Sequence, residues 1–255
     1  MSFLIFLFKI AVPPVMVAVM TLAARRWGPT FGGLIMGLPW MTGPVLFFLA
    51  LDKGEAFVLS AAVGVEIGVL SLIAYTFAFA IVSTWAKWPL SLAAAVVAFM
   101  LTALATRGIE LGLVTATVLA MAGLGASYFL LPKPQAATLP APLPSWDIAA
   151  RMLTTFALVA LIMTGADALG GQLSGVFATF PVIMTVIGSF TLHQSGRDAL
   201  RRVLRGVTLS LLSFCMFFMV MGLTLPYVGL VGAYGCAIIT AIAMSAGMIA
   251  IAGRR

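Results

Sequence analysis

Charge is what this sequence has least of. Only 8% of its 255 residues are charged while 63% are hydrophobic, so the chain lacks the polar surface that a soluble globule of this size needs. Histidine is almost absent, with His193 alone at the end of an apolar run and no partner motif around it. The two cysteines, Cys215 and Cys236, lie in late apolar stretches without CxxC or metal-type spacing, and both read as inert buried thiols. The alternation of apolar and polar residues that marks barrel strands is missing too. Continuous apolar runs in its place predict helices, the other way a backbone satisfies itself in lipid. No Ser/His/Asp, zinc, phosphate-loop or dinucleotide pattern occurs, so no cofactor is implied and the chain does not read as an enzyme. The net charge of +7 does not point to nucleic acid, because the basic residues sit between apolar spans instead of covering one face.

What is present is a series of apolar stretches of roughly 20 residues, the length that crosses a bilayer. Nine spans are predicted: 3 to 24, 32 to 51, 55 to 83, 88 to 106, 109 to 131, 148 to 169, 173 to 193, 199 to 224 and 227 to 252. Arg107 and Gly108 alone separate the fourth from the fifth. With this count Arg25, Arg26, Lys87, Lys133, Arg151, Arg197, Arg201, Arg202, Arg205, Arg254 and Arg255 share one side, leaving Lys53, Arg107 and Lys9 on the other. The positive-inside rule then puts the C-terminus in the cytoplasm and the N-terminus outside, in a bacterial-type inner membrane. Moving the count by one span near Arg107 removes most of this bias. The first apolar run reads as a span and not a secretory signal, because its early charge, Lys9, is embedded between Ile5 and Val12 and Pro13 and Pro14 interrupt the run.

A block of the chain recurs 142 positions downstream without a gap. Gly28, Gly33, Pro39, Gly54 and Gly64 correspond to Gly170, Gly175, Pro181, Gly196 and Gly206, and Lys9 to Arg151. Glycine and proline have backbone geometry that other residues replace poorly, so their matching predicts two copies of one backbone. The first copy falls in 1–131, as four helices followed by one extra helix. A linker at 132–147 carries Pro132, Pro134, Pro140, Pro142 and Pro144 and reads as extended and cytoplasmic. The second copy, 148–255, holds four helices, with Ser145 or Asp147 available as the N-cap of its first. The unpaired fifth span reverses the second copy. The expected fold is therefore an all-α polytopic membrane protein of about nine transmembrane helices in two inverted-topology repeats, an arrangement common among secondary transporters.

Two motifs in the second half carry a family resemblance. Arg151, the stretch Ser174-Gly175-Val176-Phe177-Ala178-Thr179-Phe180-Pro181, and the turn Ser195-Gly196-Arg197-Asp198-Ala199-Leu200-Arg201 resemble the short four-helix GlpM-type membrane proteins. Those have an early basic residue, a Gly-x5-Pro second helix and a glycine turn before the third. A weaker echo runs through residues 9 to 71, and Asp52-Lys53-Gly54-Glu55-Ala56 lacks the basic run of the second copy. The resemblance implies two such units fused, and implies no reaction, substrate or cofactor.

Candidate chemistry begins with Glu66, about ten residues or roughly 15 Å into the third span and so near mid-membrane. A charge there costs on the order of 2.5 to 3.5 kcal/mol, which makes it a functional candidate, suited to loading and releasing a proton, beside the plainer reading of a neutral hydrogen-bonded carboxyl. Its counterpart is Thr208. Gly64 and Gly68 are spaced for close helix packing, and Glu66 projects from the opposite face. Pro39 and Pro181 interrupt the second and seventh spans at matching places, and each frees a carbonyl that a ligand could use. Thr42, Thr179 and Thr185 are the hydroxyls nearest these breaks. Lys9 and Arg151 read as snorkelling side chains, or as attractors of an anionic solute, or, for Lys9, as a partner of Glu66. Arg197, Arg201, Arg202 and Arg205 read as a topology anchor that can also meet anionic lipid. Cys215 to Met221 offers soft atoms for Cu(I), but fifteen methionines spread through the spans read as packing, so no metal is expected.

Taken together the residues point to an inner-membrane, secondary-transporter-like protein moving a small solute, with an anionic cargo and proton coupling through Glu66 as the sharper form. The alternatives are a lipid-handling flippase or accessory subunit of envelope-polymer synthesis or export, and a membrane scaffold without transport. The partners expected are the bilayer and a small solute, with self-association left open.

Overall fold

The computed structural model describes residues 3–36, 38–40, 42–135, 144–169 and 180–252; the side chains of 3–9, 45, 49, 52, 163–169 and 249–252 lie outside that description. Among the described residues every element is helical: α1 (Phe3–Trp27), α2 (Pro29–Met36), α3 (Thr42–Lys53), α4 (Glu55–Val82), α5 (Trp88–Ala105), α6 (Leu113–Leu130), α7 (Asp147–Leu169) and α8 (Val182–Ala252). Five of these are long and apolar enough to cross a membrane, those beginning at Ile10, Glu55, Trp88, Leu113 and Val182. The chain is a helical, multi-pass membrane protein.

Glycine punctuates the helices. Gly28 (φ 93°) ends α1, its N–H meeting Ala24 O at 2.9 Å, and Pro29 opens α2 at the position where a missing N–H costs nothing. Gly54 alone separates α3 from α4, with φ 83° and ψ 172°. The helical run of α8 leaves helical geometry only at Gly196 (φ 83°, ψ −177°) and Gly229 (φ 65°, ψ 178°), which cut it into segments 182–195, 197–228 and 230–252. Gly54 and Gly196 are counterparts in the 142-residue register, and they adopt nearly the same backbone angles. Side chains other than glycine rarely reach these angles, which is why the glycines recur there.

Several boundaries differ from those read in the sequence. The second predicted span is two helices, α2 and α3, with Leu38, Pro39 and Trp40 outside helix between them. The turn predicted between the last two spans is displaced to Gly229, and Pro226 lies inside the helix. Pro13 and Pro14 do not break α1; both are buried, and neighbouring helices stabilise a proline-containing span that would kink in isolation. The boundary at Arg107 and Gly108 is a turn, with Gly108 at φ 78°.

The core forms where α4 and the middle segment of α8 meet their neighbours. α4 packs against α5, α6 and α8, while α8 receives α2 in the most extensive contact of the molecule. That contact is a backbone crossing: a Cβ on Gly33 would collide with Val203 O, and one on Gly206 with Thr30 O. The close packing predicted for Gly64 is not found, since Gly64 is exposed and nothing lies within 4 Å of where its Cβ would be. Outward positions of α5, α6 and the last segment of α8 are apolar, among them Leu101, Val118, Phe129, Val231 and Ile239, as a lipid-facing surface requires.

Polar contacts gather several helix ends on one side of the bundle. Arg25 at the end of α1 reaches Asp147 at the start of α7, and Arg151 reaches Gln194. The Gln135 N–H donates to Asp198, Arg201 to Lys133 O, and Arg205 to Tyr128 O and Leu131 O.

Candidate functional site

Glu66 lies on the buried stripe of α4 that also carries Val58, Ala62 and Val69, spaced three to four residues apart and so on one helix face. It is the twelfth residue of that helix, roughly 17 Å from its start. Its side chain is 0% exposed, and neither carboxyl oxygen has a hydrogen-bond partner. The Cys215 thiol from α8 and the Thr117 hydroxyl from α6 stand beside it without closing a hydrogen bond. Thr117 Oγ1 instead donates to Leu113 O at 3.0 Å in its own helix. The result is a sealed carboxyl facing a hydroxyl and a thiol inside an apolar core.

The proline breaks are sealed differently. At the first, where Pro39 lies between α2 and α3, Leu34 O accepts from the Ser210 hydroxyl, Ile35 O from Trp40 Nε1 at 2.7 Å, and Gly43 O from the Tyr234 hydroxyl at 3.1 Å. The carbonyls expected to await a ligand are thus held by the protein's own donors. Thr42 opens α3 and is half-buried. At the second break Pro181 precedes the first residue of α8, and Thr185 Oγ1 lies 3.0 Å from the Tyr75 hydroxyl of α4. Tyr75 stacks edge-on with Phe79 and Phe180, and Phe180 with Phe99. Nine residues of helix separate Tyr75 from Glu66, about 14 Å, so this break is not in contact with the carboxyl. Thr179 lies outside the described residues. Gly43 and Thr185 are counterparts in the repeat register, as are Tyr75 and Phe217, and Phe217 Cζ stands 3.6 Å from where a Gly43 Cβ would be. One contact therefore recurs with the halves exchanged.

Arg151 neither snorkels nor stands free. It is buried, its Nε lies 2.9 Å from both carboxylate oxygens of Asp147, its Nη2 donates to Gln194 Oε1 at 2.9 Å, and its guanidinium covers the Phe190 ring at 4.9 Å. Arg25 adds a bond of 2.7 Å to the same carboxylate. Burial alone would raise the Asp147 carboxyl, but Gln194, Arg151 and Arg25 together hold it below the ordinary carboxylate range. Asp147 is thus a hub joining α1, α7 and α8, and not a helix cap. The Lys9 side chain lies outside the described residues.

Thr208, the counterpart of Glu66, is buried and donates to Leu204 O at 2.9 Å, so nothing there parallels the unpartnered acid. Of the four arginines, Arg205 binds two carbonyls and stacks on Tyr128 at 4.1 Å, Arg201 pairs with Asp198 at 3.0 Å, Arg202 is half-buried, and Arg197 is exposed. Arg201 and Arg205 fasten the end of α6 and the segment after it. Among the described residues no group of three or more His, Cys, Asp or Glu side chains is placed to hold a metal, and Cys215 and Met221 are packed in the core.

Sequence reasoning missed Thr117, Cys215, Ser210 and Tyr234 in these roles, because their distances along the chain carry no pattern. The Asp147–Arg151 pair was legible as an acid four residues before a base. Comparison with protein-family models, curated proteins and solved structures finds no match.

Proposed function

We propose that this chain is a secondary transporter of the inner membrane, built from two inverted repeats and nine crossings, with the Glu66 carboxyl as its coupling group. The observation that carries the reading is Glu66 itself, fully buried in α4 with no partner for either oxygen. An ion left unpaired in an apolar interior costs several kcal/mol, and a protein retains such a group where its change of charge state is used. The two-copy architecture is supported by the matching angles at Gly54 and Gly196, and by the Tyr75–Thr185 contact whose counterpart joins Phe217 to Gly43. The gathering of Arg25, Lys133, Arg151, Arg201 and Arg205 at one side of the bundle supports a cytoplasmic assignment for that side. Two fused GlpM-like units remain the evolutionary reading that fits this architecture.

Arg151 no longer argues for an anionic cargo, because Asp147 neutralises it. The test is uptake into proteoliposomes under a pH gradient, compared with counterflow in the same vesicles. Gradient-driven uptake by Glu66→Gln equal to that of the wild type would remove Glu66 from coupling, and the absence of saturable flux for any solute would remove the transporter reading.

A further inference from the structure

No hydrogen bond closes on either Glu66 oxygen, and no cation stands beside it among the described side chains. An ionised carboxylate offers about four lone-pair sites, and in this structure none is used by the protein. Thr117 donates its proton to Leu113 O and stands beside the carboxyl, while Cys215 adds a weak donor and a soft sulfur. A cluster of this kind calls for a ligand that brings hydrogen-bond donors and positive charge.

Among the described residues the helices packed on α4 bring no such charge to it. α5 contains no ionisable residue, α6 only Tyr128, and α3 only Asp52 and Lys53 at its far end. On α8 the titratable group facing Glu66 is Cys215, and the nearest arginine along that helix, Arg205, is ten residues or about 15 Å away and tied to the end of α6. Arg151 and Arg25 are both held by Asp147. Hard metal cations take about six or more oxygens, more than one carboxylate and one hydroxyl supply. A planar N–H fork, in contrast, matches a carboxylate in two parallel bonds.

We propose that the Glu66 carboxyl is a cation site, holding a proton in the sealed state and exchanging it for a monovalent organic cation with N–H donors, of the guanidinium kind. One proton leaves as one cation binds, so charge at the site is conserved and cargo and proton compete for a single acceptor. This deepens the transporter reading and rests on it only for movement across the bilayer.

The binding step is tested without a membrane. Guanidinium chloride at millimolar concentration is added to the purified full chain in weakly buffered detergent containing a pH indicator, with sodium and potassium chloride at equal ionic strength as parallel arms. Saturable, stoichiometric proton release by guanidinium alone is expected. While the carboxyl is protonated, the half-saturating concentration should fall about tenfold for each unit rise in pH, as one-for-one competition requires. Glu66→Gln should abolish the release while eluting as the same folded species, and Glu66→Asp should retain it with a shifted midpoint. Release by sodium or potassium but not guanidinium, or by no cation, overturns the proposal. Labelled guanidinium uptake against an outward proton gradient in proteoliposomes tests the transport step. Proton release without flux of any solute retains the cation site and overturns the transporter reading. Glu66-dependent uptake of an anion without guanidinium-driven release does the reverse.

Discussion

Asp147 and Glu66 are both fully buried, yet Asp147 is met by two guanidinium groups and Glu66 by none. The difference separates a structural acid from the one proposed as the coupling group. Because the folded-state value of Asp147 is lowered, the stability it contributes is fully present above the ordinary carboxylate pKa of about 4 and is lost as pH falls through the lowered value. We predict that Asp147→Asn costs on the order of 3 kcal/mol, since it leaves Arg151 buried without its counter-charge. Thermal unfolding in detergent should show the loss at neutral pH, together with a weaker dependence on acid than the wild type has. Equal melting of variant and wild type at pH 7 would show that the hub carries no weight. For Glu66→Gln the prediction is the opposite: the folded protein should be retained, while gradient-driven uptake and guanidinium exchange at the lost carboxylate should both fail. Thr208→Val should be milder, as it removes only a bond within its own helix.

At the scale of elements, the break between α2 and α3 and the crossing of α2 on α8 decide how the two halves meet. At Gly33 and Gly206 the backbones touch, and a methyl group has nowhere to go because its neighbours are main-chain atoms. We predict that Gly33→Ala destabilises by about 1 to 3 kcal/mol, the usual cost of overpacking, read as earlier thermal loss of the monodisperse peak. Gly64→Ala should be neutral in the same assay, since its Cβ meets open space. Pro39→Ala allows the interrupted span to recover a hydrogen bond, and it should lower flux while leaving folded yield unchanged. Full activity in that variant would make the break a packing feature.

At the scale of the whole molecule, the two equivalent turns at Gly54 and Gly196 belong to opposite faces of the membrane if the repeats are inverted. A single cysteine at Lys53 should then react with an impermeant thiol reagent from outside intact cells, and one at Arg197 should react only after permeabilisation. Equal labelling from one side would mean parallel repeats, and alternating access by exchange of the two halves would fall with them.

The sequence by itself determined the solvent, the helical class, the glycine turns and the isolation of Glu66 among apolar residues. These depend on composition and on local backbone chemistry: 63% hydrophobic content excludes a soluble surface, and a residue at positive φ favours glycine wherever the chain folds. The 142-residue register was legible for the same reason. Only the tertiary structure decided what each polar group meets. It turned Arg151 from a free cation into half of an ion pair, filled the carbonyls of the first break from Ser210 and Tyr234, and moved the close helix crossing from Gly64 to Gly33 and Gly206. It also set Glu66 beside a thiol and a hydroxyl with no cation among the described side chains to pair it. The Arg151–Asp147 pair is local, four residues apart, but the closure of the first break and the crossing of α2 on α8 rest on contacts between residues more than a hundred positions apart, which no local pattern in the chain encodes.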